Sequence, residues 1–213
     1  MQINHKSRFI YFSIPKTGSE SVRKLLSPIG EENIVHFPQI TNNRPFYSHM
    51  RPVEVQSVFS KRGLNFEAYS SVATVRNPWA RLASLYHMMC RNWGDRWQGS
   101  FEDWVENLDP TGRSTADMPE KWYAHGTMSM SQFLSNNDGC LLVNKIYRIE
   151  DQGDALYRML AARFNGHILR DAIPHSNKAE KTYNWRTMYS RRAQKIVAIL
   201  YADDIERFEY NFS

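Results

Sequence analysis

A short apolar run that passes through a polar turn straight into an amphipathic helix constrains this chain more than any other feature. Phe9, Ile10, Tyr11, Phe12 and Ile14 form the aromatic and β-branched run of a buried parallel strand, and Pro15 ends it. After the turn, Val22, Leu25 and Leu26 fall at i, i+3 and i+4, which predicts a helix starting near Thr17 to Ser19 with one apolar stripe. Between them lies Lys16-Thr17-Gly18-Ser19. A glycine lets backbone approach a ligand, the first-turn N–H groups of a helix lack internal partners, and a lysine adds a positive charge. These are the parts of an anion cradle. The same residues also make a capping box, with Thr17 at the N-cap and Glu20 as its reciprocal partner, which points Glu20 back toward the chain. The lysine precedes the glycine, so this is not a Walker A loop, and a nucleoside triphosphate kinase is disfavoured.

A second strand-to-helix corner follows. Ser71-Val72-Ala73-Thr74-Val75 reads as a buried strand and leads into Arg76-Asn77-Pro78-Trp79-Ala80-Arg81-Leu82-Ala83-Ser84-Leu85-Tyr86. Asn77 suits an N-cap and Pro78 the first helical position, while Leu82, Leu85 and Met89 make the inward stripe. Arg76 leaves the strand just ahead of the cap. A surface ion pair for Arg76 and a helix-face hydroxyl for Ser84 are the plainer alternatives.

The two stretches together, Pro-Lys-Thr-Gly-Ser-x-Ser and then Val-Arg-Asn-Pro-x-x-Arg-Leu-x-Ser-x-Tyr, resemble the sulfotransferases that use 3′-phosphoadenosine 5′-phosphosulfate (PAPS), particularly the carbohydrate-type branch. By that resemblance, Lys16 and the backbone of Thr17, Gly18, Ser19 and Ser21 would hold the 5′-phosphosulfate. Arg76 and Ser84 would hold the 3′-phosphate. Ser48-His49-Met50-Arg51-Pro52 resembles the place where such enzymes set a histidine near the acceptor hydroxyl, so His49 is the expected base and Lys16 the expected catalytic cation. An imidazole with an ordinary pKa near about 6.5 suits that work, though a loop histidine that only makes a hydrogen bond has the same sequence signature. His36 and His125 are the reserve candidates. Pro174-His175-Ser176-Asn177-Lys178 resembles a late segment that closes over the nucleotide, with Lys178 as an anion contact; Ala179 stands where the family often has serine. Tyr147-Arg148-Ile149-Glu150 and the tail Asp204 to Tyr210 extend the likeness over nearly the whole chain.

Composition bounds the rest. With 213 residues, 42% of them hydrophobic, the chain can bury a full core and is expected to form one domain. Its net charge of +5 suits anionic ligands without distinguishing nucleotide, glycan or nucleic acid. Met1 to Arg8 is polar, and no window approaches the roughly 18 uninterrupted apolar residues of a membrane span, so a soluble, cytoplasmic protein without a membrane span is expected. Cys90 and Cys140 have no metal spacing and no paired framework, which suits thiols in a reducing compartment.

Further expectations concern the connecting segments. Ile34 to Phe37 and Leu141 to Ile149 read as strands, Pro52 to Lys61 and Asp154 to Phe164 as helices, and a final helix is expected from Arg186. Phe101, Trp104 and Val105 have the spacing of core residues, which leaves Trp93, Trp97 and Trp122 as candidate acceptor contacts. Asp109 to Pro119 reads as a loop over that region. The whole predicts a P-loop-like three-layer α/β domain, a mainly parallel central sheet flanked by helices, with its ligand at the carboxyl ends of the strands. The expected reaction is sulfuryl transfer from PAPS to an acceptor hydroxyl on a carbohydrate or glycoconjugate, with no metal and no nucleic-acid partner. A nucleotide-dependent, kinase-like phosphotransferase and a noncatalytic polyanion-binding module are the alternatives.

Overall fold

Strand β2 (Phe9–Phe12) lies inside the sheet and is buried on both faces, as its unbroken apolar sequence requires. The computed structural model describes residues 1–93, 99–111, 125–164 and 184–212. In chain order, β1 (Gln2–Asn4) precedes β2, and α1 (Ser19–Leu26) and α2 (Pro52–Lys61) follow it. Next come β3 (Ser70–Val75), α3 (Pro78–Trp93), α4 (Phe101–Glu106), α5 (Met130–Leu134) and β4 (Lys145–Arg148). Helices α6 (Gly153–Arg163), α7 (Arg191–Leu200) and α8 (Ala202–Arg207) complete the order.

Among the described residues the sheet has four strands, in the order β1-β2-β3-β4. β1 is antiparallel to β2, whereas β2, β3 and β4 are parallel, with Phe12 beside Ala73 and Val75 beside Arg148. Parallel neighbours need crossovers, and α1, α2 and α3 lie in those connections. Alternation along β2 divides the core. Phe9 and Tyr11 pack with Val22, Leu25 and Leu26 of α1 and Leu156 and Leu160 of α6. Ile10 and Phe12 face the other way, onto Val55 and Phe59 of α2 and Met130, Phe133 and Leu134 of α5. Each such fully buried large side chain contributes about 1.5–3 kcal/mol. This is the three-layer α/β arrangement with a mainly parallel sheet. A third cluster joins α3, α4 and α7 through Leu82, Leu85, Trp104 and Val197.

Several sequence expectations change. Residues 34–37 form no strand; Val35 makes only an isolated bridge to Tyr47. The strand expected from Leu141 shrinks to Lys145–Arg148: the Ser71 N–H donates to Asn144 Oδ1 at 2.7 Å in place of a ladder bond, and the Leu142 N–H donates to the Leu134 carbonyl at 2.9 Å. The helix expected from Arg186 begins instead at Arg191, where the Ser190 hydroxyl accepts the Ala193 N–H at 3.1 Å; Trp185–Met188 is a separate 3₁₀ turn. Cys90 is half-buried and Cys140 exposed, and both are free thiols. No helix among the described residues is long and apolar enough to cross a membrane.

Candidate active site

The Lys16 corner forms where β2 runs out. Lys16 and Gly18 both take left-handed backbone, with φ of 67° and 70°, and the chain turns there so that α1 starts beside the carboxyl edge of the sheet. A non-glycine residue in this region is uncommon and strained, so the lysine is held there by its surroundings. Gly18 is required twice over: its φ is positive, and a Cβ would lie 3.0 Å from Ile149 Cγ1. Gly18→Ala should therefore cost about 1–2 kcal/mol in backbone strain alone. For a chain of this length that is a fall in Tm of about 2–8 °C. A melting curve and a nucleotide titration check it, and a variant matching the wild type in both would remove the steric requirement.

The capping box is not formed. Gly18 is the N-cap of α1 and no side chain caps it. The Thr17 hydroxyl turns inward instead, donating to the Ile14 carbonyl at 3.0 Å and meeting Thr74 Oγ1 at 3.2 Å. Thr74 Oγ1 in turn meets the Tyr11 hydroxyl at 2.7 Å. The Ser19 hydroxyl also donates to Ile14, at 3.0 Å. Buried hydroxyls must find partners, and this network under the loop supplies them. Glu20 pairs with Lys24 at 3.0 Å on the exposed face of the helix. Within the first turn, the Ser21 N–H donates to the Gly18 carbonyl at 3.2 Å. With no side-chain cap, the start of α1 retains the positive end of its dipole for a ligand.

The Arg76 corner is built as the sequence anticipates. Asn77 Oδ1 accepts the Ala80 N–H at 3.3 Å, and Pro78 opens α3. The Asn77 N–H donates to Glu150 at 2.8 Å, and the Tyr210 hydroxyl donates to the same carboxylate at 3.0 Å. Glu150 is thus a structural brace for this corner. Arg76 reaches back across the gap, and its Nη1 donates to the Lys16 carbonyl at 3.2 Å. The two corners therefore adjoin one another at the carboxyl edge of the sheet.

Their junction gathers positive charge. Lys16 Nζ lies 3.7 Å from Met88 Sδ, and burial, with Arg76 and Arg91 adding repulsion, lowers its pKa to about 8. Ser84, Met88 and Arg91 recur at helical spacing on α3, so the face that meets Lys16 through Met88 also carries the half-buried Ser84 and the exposed Arg91. Arg91, which the sequence places with the acceptor stretch, instead acts on Lys16; its place seven residues after Ser84 on one helix was the available signal. An anion bound here would relieve the repulsion.

His49 stands near the same loop. Its Nδ1 lies 2.8 Å from the carbonyl of Ser13, three residues before Lys16. A carbonyl can only accept, so Nδ1 carries the hydrogen and a neutral ring keeps its lone pair on Nε2. Burial first, and nearby positive charge second, lower its pKa to about 3, so the ring is neutral at physiological pH. That departs from the ordinary imidazole value expected of a base; an anion nearby would raise it, since negative charge favours imidazolium. The segment is fixed on both sides: the Tyr47 hydroxyl donates to Glu54 at 2.7 Å, and Arg51 Nη2 donates to the Gln132 carbonyl at 2.8 Å. Of the reserve histidines, His36 is exposed. His125 is buried, its ring stacked on Tyr47 at 6.2 Å and edge-on to Phe133 at 5.6 Å. Phe101, Trp104 and Val105 are buried core. Lys178, Trp97, Trp122, the side chain of Trp93 and most of the Asp109 to Pro119 loop lie outside the described residues.

The sequence profile of the Sulfotransferase family matches residues 1–211. The chain belongs to the sulfotransferase family. This sulfotransferase also resembles in fold the crystal structure of the mouse sulfotransferase SULT7A1 complexed with PAP. The TM-score is 0.51 at 11% identity, with 96% of this chain and 85% of that one covered. No curated protein sequence matches the chain. Family membership selects sulfuryl transfer over the phosphotransferase and noncatalytic alternatives.

Proposed function

We propose that residues 1–213 form one catalytic domain that moves the sulfuryl group of PAPS to a hydroxyl on a carbohydrate or glycoconjugate. The single observation that supports the donor assignment is the 3.2 Å bond from Arg76 to the Lys16 carbonyl, which joins two cationic strand-to-helix corners side by side. A doubly phosphorylated adenosine has two anionic ends to offer them. The 5′-phosphosulfate would sit on Lys16 and the start of α1, from Thr17, Gly18 and Ser19 to Ser21. The 3′-phosphate would sit on Arg76 and Ser84, and Lys178 would add an anion contact. In the transfer, His49 Nε2 takes the acceptor proton as the acceptor oxygen bonds to sulfur. The bond from sulfur to the 5′-phosphate oxygen breaks, and the charge left there is met by Lys16 and the helix terminus. The products are a sulfate ester and 3′-phosphoadenosine 5′-phosphate (PAP). A sulfuryl group carries less charge than a phosphoryl group, so the protein's own cations suffice in this scheme. The carbohydrate acceptor rests on the resemblance of the His49 segment to carbohydrate sulfotransferases.

Calorimetry with PAP against ATP and magnesium tests the donor, and labelled PAPS with pools of glycan acceptors tests the transfer. Tight PAP binding and label on glycan are expected; a preference for ATP would overturn the reading. Arg76→Ala separates the two ends of the nucleotide. Hydrogen bonds to charged groups are worth about 1.5–3 kcal/mol, so PAP affinity should fall roughly tenfold to a hundredfold. Adenosine 5′-phosphate, which lacks the 3′-phosphate, should lose much less. Equal losses for both would take Arg76 off the 3′-phosphate.

A further inference from the structure

Arg81 is fully buried, an unusual place for a guanidinium. Its Nε donates to the Pro15 carbonyl at 3.1 Å, its Nη1 to Met128 at 2.9 Å and its Nη2 to His125 at 3.1 Å. The balancing charge is Asp204 on α8, also buried, whose carboxylate accepts the N–H groups of Met130 at 2.8 Å and Ser131 at 2.7 Å. Burying a charge is costly, and an apolar side chain of similar volume often serves packing as well or better. The backbone segments held by this pair adjoin Lys16, Arg76 and the His49 segment. Pro15 immediately precedes Lys16. Met130 presents its sulfur to the Arg76 N–H at 3.5 Å. His125 stacks on Tyr47, two residues before His49.

We infer that Arg81 is a positioning residue for the donor site: its three-pronged grip on Pro15, His125 and Met128 sets the spacing between the Lys16 corner and the Arg76 corner. It touches no nucleotide itself. The inference rests on the donor assignment above for its binding consequence, but not for the holding of the loop. A planar fork bonds three carbonyls in fixed directions, which a lysine ammonium on a flexible stem does not reproduce.

The test is Arg81→Lys, which keeps the charge opposite Asp204. Misplacing binding groups by about 1 Å costs on the order of a hundredfold in the rate of a positioned reaction, and a tenfold or greater loss of PAP affinity is expected here. The preference for PAP over adenosine 5′-phosphate should shrink with it, because the two ends of the nucleotide no longer meet both corners together. Hydrogen exchange should quicken in a peptide spanning Ser13 to Ser19 and stay unchanged in one from α7, a contrast that general destabilisation does not produce. A folded Arg81→Lys protein with wild-type PAP affinity, wild-type nucleotide preference and an unchanged exchange pattern overturns the proposal. If Arg81→Lys does not fold, Arg81→Gln is measured in the same way, and failure of both to fold assigns Arg81 to stability and also overturns it. Exchange needs no ligand, so a wild type that ignores PAP would sink the donor assignment while exchange still decides whether Arg81 holds the loop.

Discussion

Replacing Lys16 by alanine is expected to lower sulfuryl transfer by about 10²–10³-fold, the usual consequence of removing one preorganised group from a developing oxyanion. Labelled PAPS measures it, and unchanged turnover would remove Lys16 from the mechanism. The fold should survive, because the ammonium is a liability to the native state: burial and the Arg76 and Arg91 charges lower its pKa from 10.5 to about 8. Between those two values the unfolded chain binds a proton that the native chain has released. Its contribution to stability therefore rises with pH across that window and is least favourable below about pH 8. Lys16→Ala should flatten this slope in pH-dependent melting. Donor binding has the opposite sign, since it needs the charged form. PAP affinity in the wild type should decline as pH passes above about 8, and binding itself should raise the Lys16 pKa. Lys16→Arg, which stays charged, should abolish that decline; a wild-type profile that is flat from pH 7 to pH 10 would contradict the role.

His49→Ala should reduce the transfer rate by about 10²–10⁴-fold, the usual range for general acid–base catalysis, while leaving PAP affinity near the wild-type value. The split matters because His49 is placed by the Ser13 carbonyl, close in the chain to the donor loop, and a general collapse of that loop would impair binding as well. Single-turnover rates at saturating PAPS, set beside PAP titrations, separate the two. A normal rate would move the proton to another group, with buried His125 next in line; equal losses of rate and binding would make His49 a prop for the loop.

Much of this was legible in the chain because it follows from local rules. The two strand-to-helix corners rest on short-range chemistry: Pro15 and Gly18 at one, Asn77 and Pro78 at the other. Apolar spacing correctly put Val22, Leu25 and Leu26 of α1 and Leu82, Leu85 and Met89 of α3 in the core. Local rules failed where a residue had competing partners. Thr17 has the sequence of an N-cap, yet its hydroxyl donates to the Ile14 carbonyl and meets the buried Thr74 hydroxyl beneath the loop, and Gly18 takes over the helix start. β1 was missed because three residues with one buried position carry almost no periodicity; its pairing of Ile3 with Ile10 depends on β2 being there already. The strand expected from Leu141 was too long because Asn144 and Ser71 bond through their side chains and end the ladder there, a pairing 73 residues apart in sequence.

The order of residues determined the chemistry available to this protein: a lysine and a glycine at one helix start, an arginine before another, and a histidine ahead of a third. It also determined that both corners would follow buried strands and so emerge at the carboxyl edge of a parallel sheet. Only the tertiary structure decided that they meet, because a hydrogen bond between Arg76 and the Lys16 carbonyl spans 60 residues of sequence. The burial that shifts Lys16 and His49, and the grip of Arg81 on segments distant in the chain, depend likewise on what surrounds each group in space. Spacing along a chain encodes which groups a helix or strand presents, whereas desolvation and long-range hydrogen bonds exist only once the layers have packed.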